Sequence, residues 1–381
     1  MIFTEITPAE FTKFAQKSPY KSFMQTEEIA KLREQNGWTV YYFGVKENDR
    51  LIAASLIVAK PTFLGKSTFI APGGPLLDYD DAKLVEFFFK NLRNYIKTHN
   101  GYVLQVSPYY ELIERDRDGA PVEKGFNHKK ALQNLQSVGF IKESHPSQPE
   151  YMFAMDIASR TPDEVLADFK RNTRNHVRKA ERAGVKIREL TREELPLFKQ
   201  ITESTSERRH FSDRPLSYYE QMYDLFHEKG QVKFLVAEVD SQILSAAMFM
   251  LYGDEIVYLF SGSDEKYMKE YNAQYLIQWH IIKYAAEHGF KRYNFYGISG
   301  LPKNGDLDGI YEFKKGFDTK HGKVLEYIGT FELPVDKALY YFHRMLSRIK
   351  HWAASLRAII LLWNIHIFVL SQNTHSRFLI L

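Results

Sequence analysis

One order of hydrophobic patterns occurs twice in this chain, at an offset of roughly 190 residues, and that repeat restricts the available folds more than any single motif. In the first half, WTVYYFGVK from Trp38 and LIAASLIVAK from Leu51 predict an antiparallel hairpin about Asn48-Asp49, followed by STFIAPGGPLLD. DAKLVEFFFKNLRNYIKTH then carries apolar residues at helical spacing as far as Asn100-Gly101, and YVLQVSP reads as a further strand. The second half offers QVKFLVAEVD, QILSAAMFMLYG and EIVYLFSGSD as strands, then the helical AQYLIQWHIIKYAAEHG and the strand RYNFYGI. Identity between the halves is negligible; what recurs is the order of elements.

Hairpin, strand, helix and strand is the order of the central part of an acetyltransferase-like (GNAT) unit. The expected fold class is therefore α/β with mixed sheets, built as a tandem of two such units, and 381 residues are enough for two cores of ordinary size. The first unit is expected over 1–155 and the second over 156–318. Residues 319–381 are expected to return to the first unit and end in a basic and apolar helical tail. TPDEVLADFKRNTRNHVRKAERAG is expected as one linking helix, capped by Thr161 with Glu164 three residues on and closed by Gly184. The start, MIFTEITPAEF, lacks a charged stretch leading into an apolar one, which predicts no secretory signal and a cytoplasmic protein. Near the other end, AIILLWNIHIFVL is an apolar run of 13 residues, short of the roughly 20 that a spanning helix needs.

Several chemistries are excluded by what is missing. The chain has no cysteine, so thiol nucleophiles, disulfides and thiolate metal sites fall together. Its 13 histidines form no HExxH or similar spacing, and no Walker loop or GxSxG elbow is present. No metal and no cofactor is expected. Between the third strand and the helix of the second half, a unit that binds coenzyme A would place glycines, so that bare N–H groups at the helix start approach the pyrophosphate. DEKYMKEYNAQYL has none there, which argues against an acyl-CoA donor.

The net charge of +4 is small, so any site for an anion must be local. Arg171, Arg174, Arg178 and Arg182 fall on one face of the linking helix, with Lys179 beside them. Such a stripe suits an anionic partner, RNA or lipid pyrophosphate, but a solvated face partly neutralised by Asp168 and Glu181 has the same pattern. SERRHFSDRPLSYY sets Arg208, Arg209 and Arg214 ahead of Tyr218 and Tyr219, guanidinium forks for phosphate beside rings for sugar or peptide, or else a loop with surface arginines. In GIYEFKKGFDTKHG, Phe313 precedes Lys314 and Lys315; a lysine held dry among aromatics could stabilise an oxyanion, although exposed lysines about a turn read the same way.

Taken together, SFMQTEEIAKLREQNGW, APGGPLLDYD, FKRNTRNHVRKAERAGV, YLFSGSDEKY, YNFYGISG and FKKGFD resemble, in that order, the Fem/MurM family of nonribosomal peptidyl transferases. The resemblance covers about residues 20 to 330 and implies tandem GNAT-like units without the helical-hairpin arm that some members insert. Carried over residue by residue, it implies that Arg33, Tyr102, Ser107, Arg208, Tyr218 and Tyr258 bind the precursor. Lys314, with Phe313, falls where the family keeps a lysine that binds the tRNA end and steadies the transition state. Arg171, Arg174, Arg178 and Lys315 are then expected at tRNA or other phosphate. Arg33 stands where the family has lysine, Ser107-Pro108 where it has an Asp-Pro pair, and Asp318 where it has glycine.

The implied activity is aminoacyl transfer from aminoacyl-tRNA to the stem-peptide lysine, or growing bridge, of a peptidoglycan precursor that is lipid-linked or UDP-linked. The protein is expected to act as a monomer. The basic helix with Arg344, Arg348 and Lys350, and the apolar run after it, suit peripheral contact with the inner membrane leaflet. The rival readings are an acyl-CoA-dependent N-acyltransferase and a noncatalytic RNA- or membrane-binding module.

Overall fold

The computed structural model describes residues 1–144, 146, 148–209, 212–302 and 309–349. The first half begins β1 (Ile2–Glu5), α1 (Pro8–Lys17), α2 (Glu27–Gln35), β2 (Thr39–Glu47), β3 (Arg50–Phe63), β4 (Lys66–Gly73), α3 (Ala82–Thr98) and β5 (Gly101–Pro108). Then come β6 (Glu111–Glu114), α4 (Lys129–Ser137), β7 (Ile141–Lys142) and β8 (Tyr151–Asp156). The second half holds α5 (Pro162–Ala167), α6 (Arg171–Arg182), β9 (Lys186–Glu189), α7 (Leu195–Arg209), α8 (Leu216–Phe226), β10 (Val232–Val239), β11 (Gln242–Tyr252) and β12 (Glu255–Ser263). It continues with α9 (Glu265–Tyr271), α10 (Ala273–Glu287), β13 (Arg292–Gly297), α11 (Gly309–Lys315), β14 (Gly322–Tyr327) and β15 (Phe331–Pro334).

The repeat is realised in two mixed sheets. Each has an antiparallel hairpin (β2–β3, β10–β11), a third antiparallel strand (β4, β12), a crossover helix (α3, α10) and a returning strand (β5, β13) parallel to the third. A helical crossover carries the chain back to the end of the sheet at which the preceding strand began, which is why these two pairs are parallel. The hairpins turn on Asn48-Asp49 and Asp240-Ser241, all four at positive φ as a tight hairpin turn requires. The strand orders are β1-β2-β3-β4-β5-β15-β7 and β6-β14-β8-β13-β12-β11-β10-β9. Exchange of strands stitches the halves: β6, from the first half, pairs with β14, and β15 crosses back to pair with β5 and β7. β8, which spans the boundary expected near residue 155, pairs with β13 and β14.

The two central strands are buried on both faces, and side-chain alternation sends each face to a different core. Ala53, Ile57 and Ala59 of β3 pack with Phe88, Phe89 and Leu92 of α3. Ala54, Leu56 and Val58 point the other way, into a core shared with Ala246, Met248 and Met250 of β11 and with Phe198 and Met222 of α7 and α8. Ala247, Phe249 and Leu251 of β11 face Ile277 and Ile281 of α10. No projecting arm interrupts the second half among the described residues, since α7 and α8 lie in the shared core.

The linking segment departs from the single helix expected. The Thr161/Glu164 capping box and the positive φ of Gly184 are present, but the helix breaks between α5 and α6. Asp168 caps the end of α5 and meets Arg160 at 2.8 Å and Lys320 at 2.7 Å, buried Phe169 packs on Trp279 and Phe317, and the backbone is extended at Lys170 before α6 starts. Tertiary partners far along the chain outcompete the local helical pattern here. Asp318, the departure from the family glycine, is fully buried and accepts from the N–H groups of Lys320 and His321, at 2.7 Å each, and from Arg160.

The loop before α2 is pinned by Gln25, fully buried, whose amide donates to the Leu56 and Pro72 carbonyls at 3.1 and 2.8 Å and accepts from the Leu56 N–H at 2.8 Å. Gly73 and Gly74 allow this approach: a Cβ on Gly73 would lie 2.6 Å from Ser22 Oγ, and one on Gly74 2.6 Å from the Gln25 amide carbon. Gln25→Leu would take the side-chain partner from the Pro72 carbonyl and the Leu56 N–H, the Leu56 carbonyl keeping the Ser55 hydroxyl at 3.1 Å, at roughly 1–3 kcal/mol for each group left bare before relaxation. We expect about 3 kcal/mol or more lost in urea unfolding, and a loss below about 1 kcal/mol would contradict the pinning role.

Candidate active site

Lys314, in the last turn of α11, is buried, and its ammonium donates to the Tyr296 carbonyl at 3.3 Å and to that of Gly297. Phe313 packs edge-on against Tyr275 and Phe317, with ring centroids at 5.0 and 5.2 Å, which fixes the helix that carries the lysine. Lys315 is also buried but is engaged in an ion pair with Asp118, 5.9 Å from the Tyr311 ring centroid. Its ammonium holds the Asp118 carboxyl below the usual carboxylate range. Exposed lysines about a turn are thus not what the chain builds. Gly316 is required by packing: a Cβ there would lie 2.5 Å from Thr173 Oγ1, and its carbonyl accepts from the Lys170 N–H at 2.8 Å. The start of α6 accordingly abuts the lysine turn.

Tyr296 links this cradle to the first half. Its hydroxyl donates to Gln148 Oε1 at 2.6 Å, and Gln148 lines a small cavity with Gly73, Ser107, Tyr109, Met152 and Tyr327. Ser107 Oγ accepts from the Gly73 N–H at 3.3 Å. On its other side Tyr296 feels Tyr218 and Arg214, although burial is what chiefly pushes its phenol up. The Arg214 guanidinium lies 5.4 Å from the Tyr218 ring centroid. Arg33 sits 5.6 Å from the Trp38 ring centroid, with its Nε buried and unpartnered among the described residues. Burial lowers the Arg33 pKa, the Tyr218 hydroxyl opposes this, and Arg214 adds to it. Two guanidinium groups thus act on one phenol, and one Arg33 donor has no partner among the described residues.

The remaining expected residues lie elsewhere. Tyr102 is five residues before Ser107 on β5, hence roughly 17 Å away; its hydroxyl meets Thr68 and His343. Arg208 lies in the last turn of α7 and faces Glu265 at 3.8 Å. Tyr258 is tied inward: its hydroxyl donates to Ser261 and accepts from Gln274 at 2.9 Å, and burial pushes its phenol up to about 12. Thr173, Val177 and Ala180 form the buried face of α6, so Arg171, Arg178 and Arg182 occupy the opposite, exposed one. Arg174 turns back to cap the carbonyls of Ala167, at 2.7 Å, and Phe169. The glycine-free segment forms α9, pinned to α6 by Lys179 on the Lys269 carbonyl at 3.1 Å. A helical turn, not a backbone cradle, therefore precedes α10.

Four participants were not singled out from the sequence: Tyr296, Gln148, and Glu255 with Asn294. Asn294 is fully buried in a strand of apolar residues, and that polarity within YNFYG is the signal that could have marked it. Burial pushes the Glu255 carboxyl up to about 7; Arg292 and Asn294 pull it down, and Glu111 and Asp254 push it up. No group of acidic residues and histidines suited to hold a metal ion occurs among the described residues.

Two acetyltransferase-like units that share a core, the second of which carries a lysine cradle, define the class. A tandem GNAT protein from the clavulanic acid biosynthesis pathway superposes with a TM-score of 0.52 at 10% identity, over 88% of this chain and 98% of that one. Within the class, the FemAB family model matches residues 6–243 and 240–348, and the chain belongs to that family. It is 29% identical to the aminoacyltransferase FemA of Staphylococcus epidermidis, over 92% of this chain and 100% of the relative. FemA of Staphylococcus aureus is 27% identical, over 92% and 99%. The crystal structure of FemX has the same fold, with a TM-score of 0.76 at 21% identity, over 90% and 99%.

Glu255 makes stability depend on pH with a definite sign. Its folded pKa, about 7, lies above the ordinary 4.5, so the folded state binds the proton more tightly and stability falls as pH rises through that window. The difference, at roughly 1.4 kcal/mol per pH unit, sets a ceiling of about 3 kcal/mol. Glu255→Gln should flatten the urea-unfolding stability profile between pH 4.5 and 7; an unchanged slope would refute the assignment.

Proposed function

We infer that this chain is an aminoacyltransferase of peptidoglycan bridge formation, which joins an activated amino acid to an amine of a peptidoglycan precursor. The observation that carries the reading is the buried Lys314, its ammonium fixed by two main-chain carbonyls where the two halves meet. Likeness along the whole chain to the FemA aminoacyltransferases supports it.

Aminoacyl-tRNA is the donor in this reading, and the precursor is lipid-linked. The neutral acceptor amine attacks the ester carbonyl and the C–N bond forms. Lys314 offsets charge on the tetrahedral oxygen, the ester C–O bond breaks, and the ribose oxygen leaves with the proton that the nitrogen gives up. Arg33, Arg214 and Tyr218 hold phosphate of the precursor; Ser107 lies at the acceptor peptide. Arg171 and Arg178, exposed on a helix that starts beside the lysine turn, take tRNA phosphate. No covalent enzyme intermediate is needed, in keeping with a chain that has no cysteine. The acyl-CoA alternative is disfavoured by α9, which places side chains where a glycine loop would cradle pyrophosphate.

Purified protein supplied with mixed aminoacyl-tRNAs and either precursor should add the mass of one amino acid to the lipid-linked form. No addition with any donor, or thermal protection by coenzyme A, would overturn the reading. Lys314→Ala should lower kcat by about 10²–10³ while precursor binding changes less than about threefold. Equal losses in both would remove the oxyanion role.

The preference for a lipid carrier rests on helical residues 337–349. Tyr341, Phe342, Met345 and Ile349 are 57, 44, 49 and 52% exposed and fall within an arc of about 100°, bordered on one side by Lys337 and Arg348. An apolar stripe with a basic edge fits an anionic bilayer surface. The apolar run from Ala358 to Leu370 and Lys350 lie outside the described residues, and no described helix is long and apolar enough to cross a membrane. The protein should sediment with anionic vesicles and not with neutral ones, and Met345→Glu with Ile349→Glu should abolish it. Sedimentation that survives both changes would discard this contact.

A further inference from the structure

Two successive carbonyls converge on Lys314, and a regular strand does not allow that, because its successive carbonyls point to opposite edges. β13 is irregular at this point. It pairs with β8 at Asn294↔Ala154 and next at Gly297↔Met152, three steps against two, and Tyr296 lies in the left-handed region at φ 63. An aromatic residue held there is strained and needs a restraint to stay. Asn294 supplies the restraint. Its Oδ1 accepts from the Tyr296 N–H at 2.8 Å, an Asx turn that fixes the residue two positions on. Its Nδ2 donates to Glu255 Oε1 and to the Tyr109 hydroxyl, both at 3.0 Å. The buried amide is thus held from behind by a carboxylate on β12, and from the first half by a tyrosine that lines the Ser107 cavity.

We propose that Asn294, anchored by Glu255, is a positioning residue for the transfer reaction: it locks Tyr296 in the conformation that turns two carbonyls toward Lys314 and aims its ammonium at the reacting ester. The inference rests on the oxyanion role given to Lys314 above. Asn294 acts through the backbone and touches no substrate, so its loss misaims the cation and leaves the phosphate and peptide contacts of the precursor in place. The effect falls on kcat and not on KM.

The test is steady-state kinetics with aminoacyl-tRNA and precursor on three variants. Asn294→Asp keeps the acceptor for the Tyr296 N–H but sets a second carboxylate against Glu255. Combining it with Glu255→Gln exchanges donor and acceptor and restores one hydrogen bond between the two side chains. Asn294→Asp is expected to lower kcat about tenfold or more with precursor KM within about twofold, and the double variant to recover to within about threefold of the parent. An unchanged kcat, a loss that sits in KM, or a double variant no better than the single would overturn the proposal. Should Asn294→Asp fail to melt cooperatively, Glu255→Ala decides: about fivefold lower kcat at constant KM supports the anchor, and unchanged kcat refutes it. Lys314→Ala separates the two levels. If it retains turnover, the oxyanion role fails and this proposal falls with it; if it abolishes turnover while Asn294→Asp does not, the positioning alone is wrong.

Discussion

The core between the two sheets decides where everything else can lie. Leu56 and Val58 of β3 and Met248 and Met250 of β11 are fully buried in it, and burial of a side chain of this size contributes roughly 1.5–3 kcal/mol. Because these strands are also packed on their other faces, neither can slip by one residue without turning both cores inside out. The two halves are therefore held in one relation. Lys21 to Asp254 at 3.0 Å and Arg292 to Glu111 at 2.9 Å add ion pairs across the same junction. That rigidity keeps the cavity lined by Gly73, Ser107 and Gln148 joined to Tyr296 of the other half through the Tyr296–Gln148 hydrogen bond.

Charge is distributed in two ways that suit two polyanions. Around Tyr218 the guanidiniums of Arg33 and Arg214 are close to each other, and Arg33 is largely removed from water, so an anion there would gain by being desolvated with them. Along α6, Arg171 and Arg178 stand in solvent, where each contact is weak and screened. A small phosphate group suits the first arrangement; a long, repeating phosphate backbone, bound by summing many weak contacts, suits the second.

What could be read from sequence divides along physical lines. LIAASLIVAK and QILSAAMFMLYG are apolar almost throughout because both faces are buried, and the Asn48-Asp49 turn and Thr161/Glu164 box act within a few residues, so pattern alone located them. The order of the repeat emerged for the same reason. The exchange of β6 did not, and for β15 only the return of its segment to the first unit was expected, because pairing between Glu114 and Leu325, or Val106 and Phe331, has no local signature. The break at Asp168 depends on Arg160 and Lys320, one near and one about 150 residues on. Within the site, the resemblance located Lys314, whose burial no local pattern reveals, whereas Tyr296 escaped notice because tyrosine at positive φ opposes its own preference.

The duplicated units also differ in one register, and the site follows from it. In the first, β4 and β5 stay paired from Ser67↔Gly101 through Gly73↔Pro108. In the second, β12 and β13 pair only at Glu255↔Arg292, Ile256↔Tyr293 and Val257↔Asn294, and then part. The parting begins at Asn294, where β13 starts its bulge, and the Tyr258–Ser261–Gln274 side chains are hydrogen-bonded to one another beyond it. A closed pair leaves the first unit a continuous wall, against which the loop of Gln25 and the Ser107 cavity are built. An open pair leaves the second unit backbone groups free to be redirected, and two of them are spent on one lysine. The same order of elements thus yields a wall in one copy and a cation cradle in the other, and the difference lies in where a single pair of parallel strands stops hydrogen bonding.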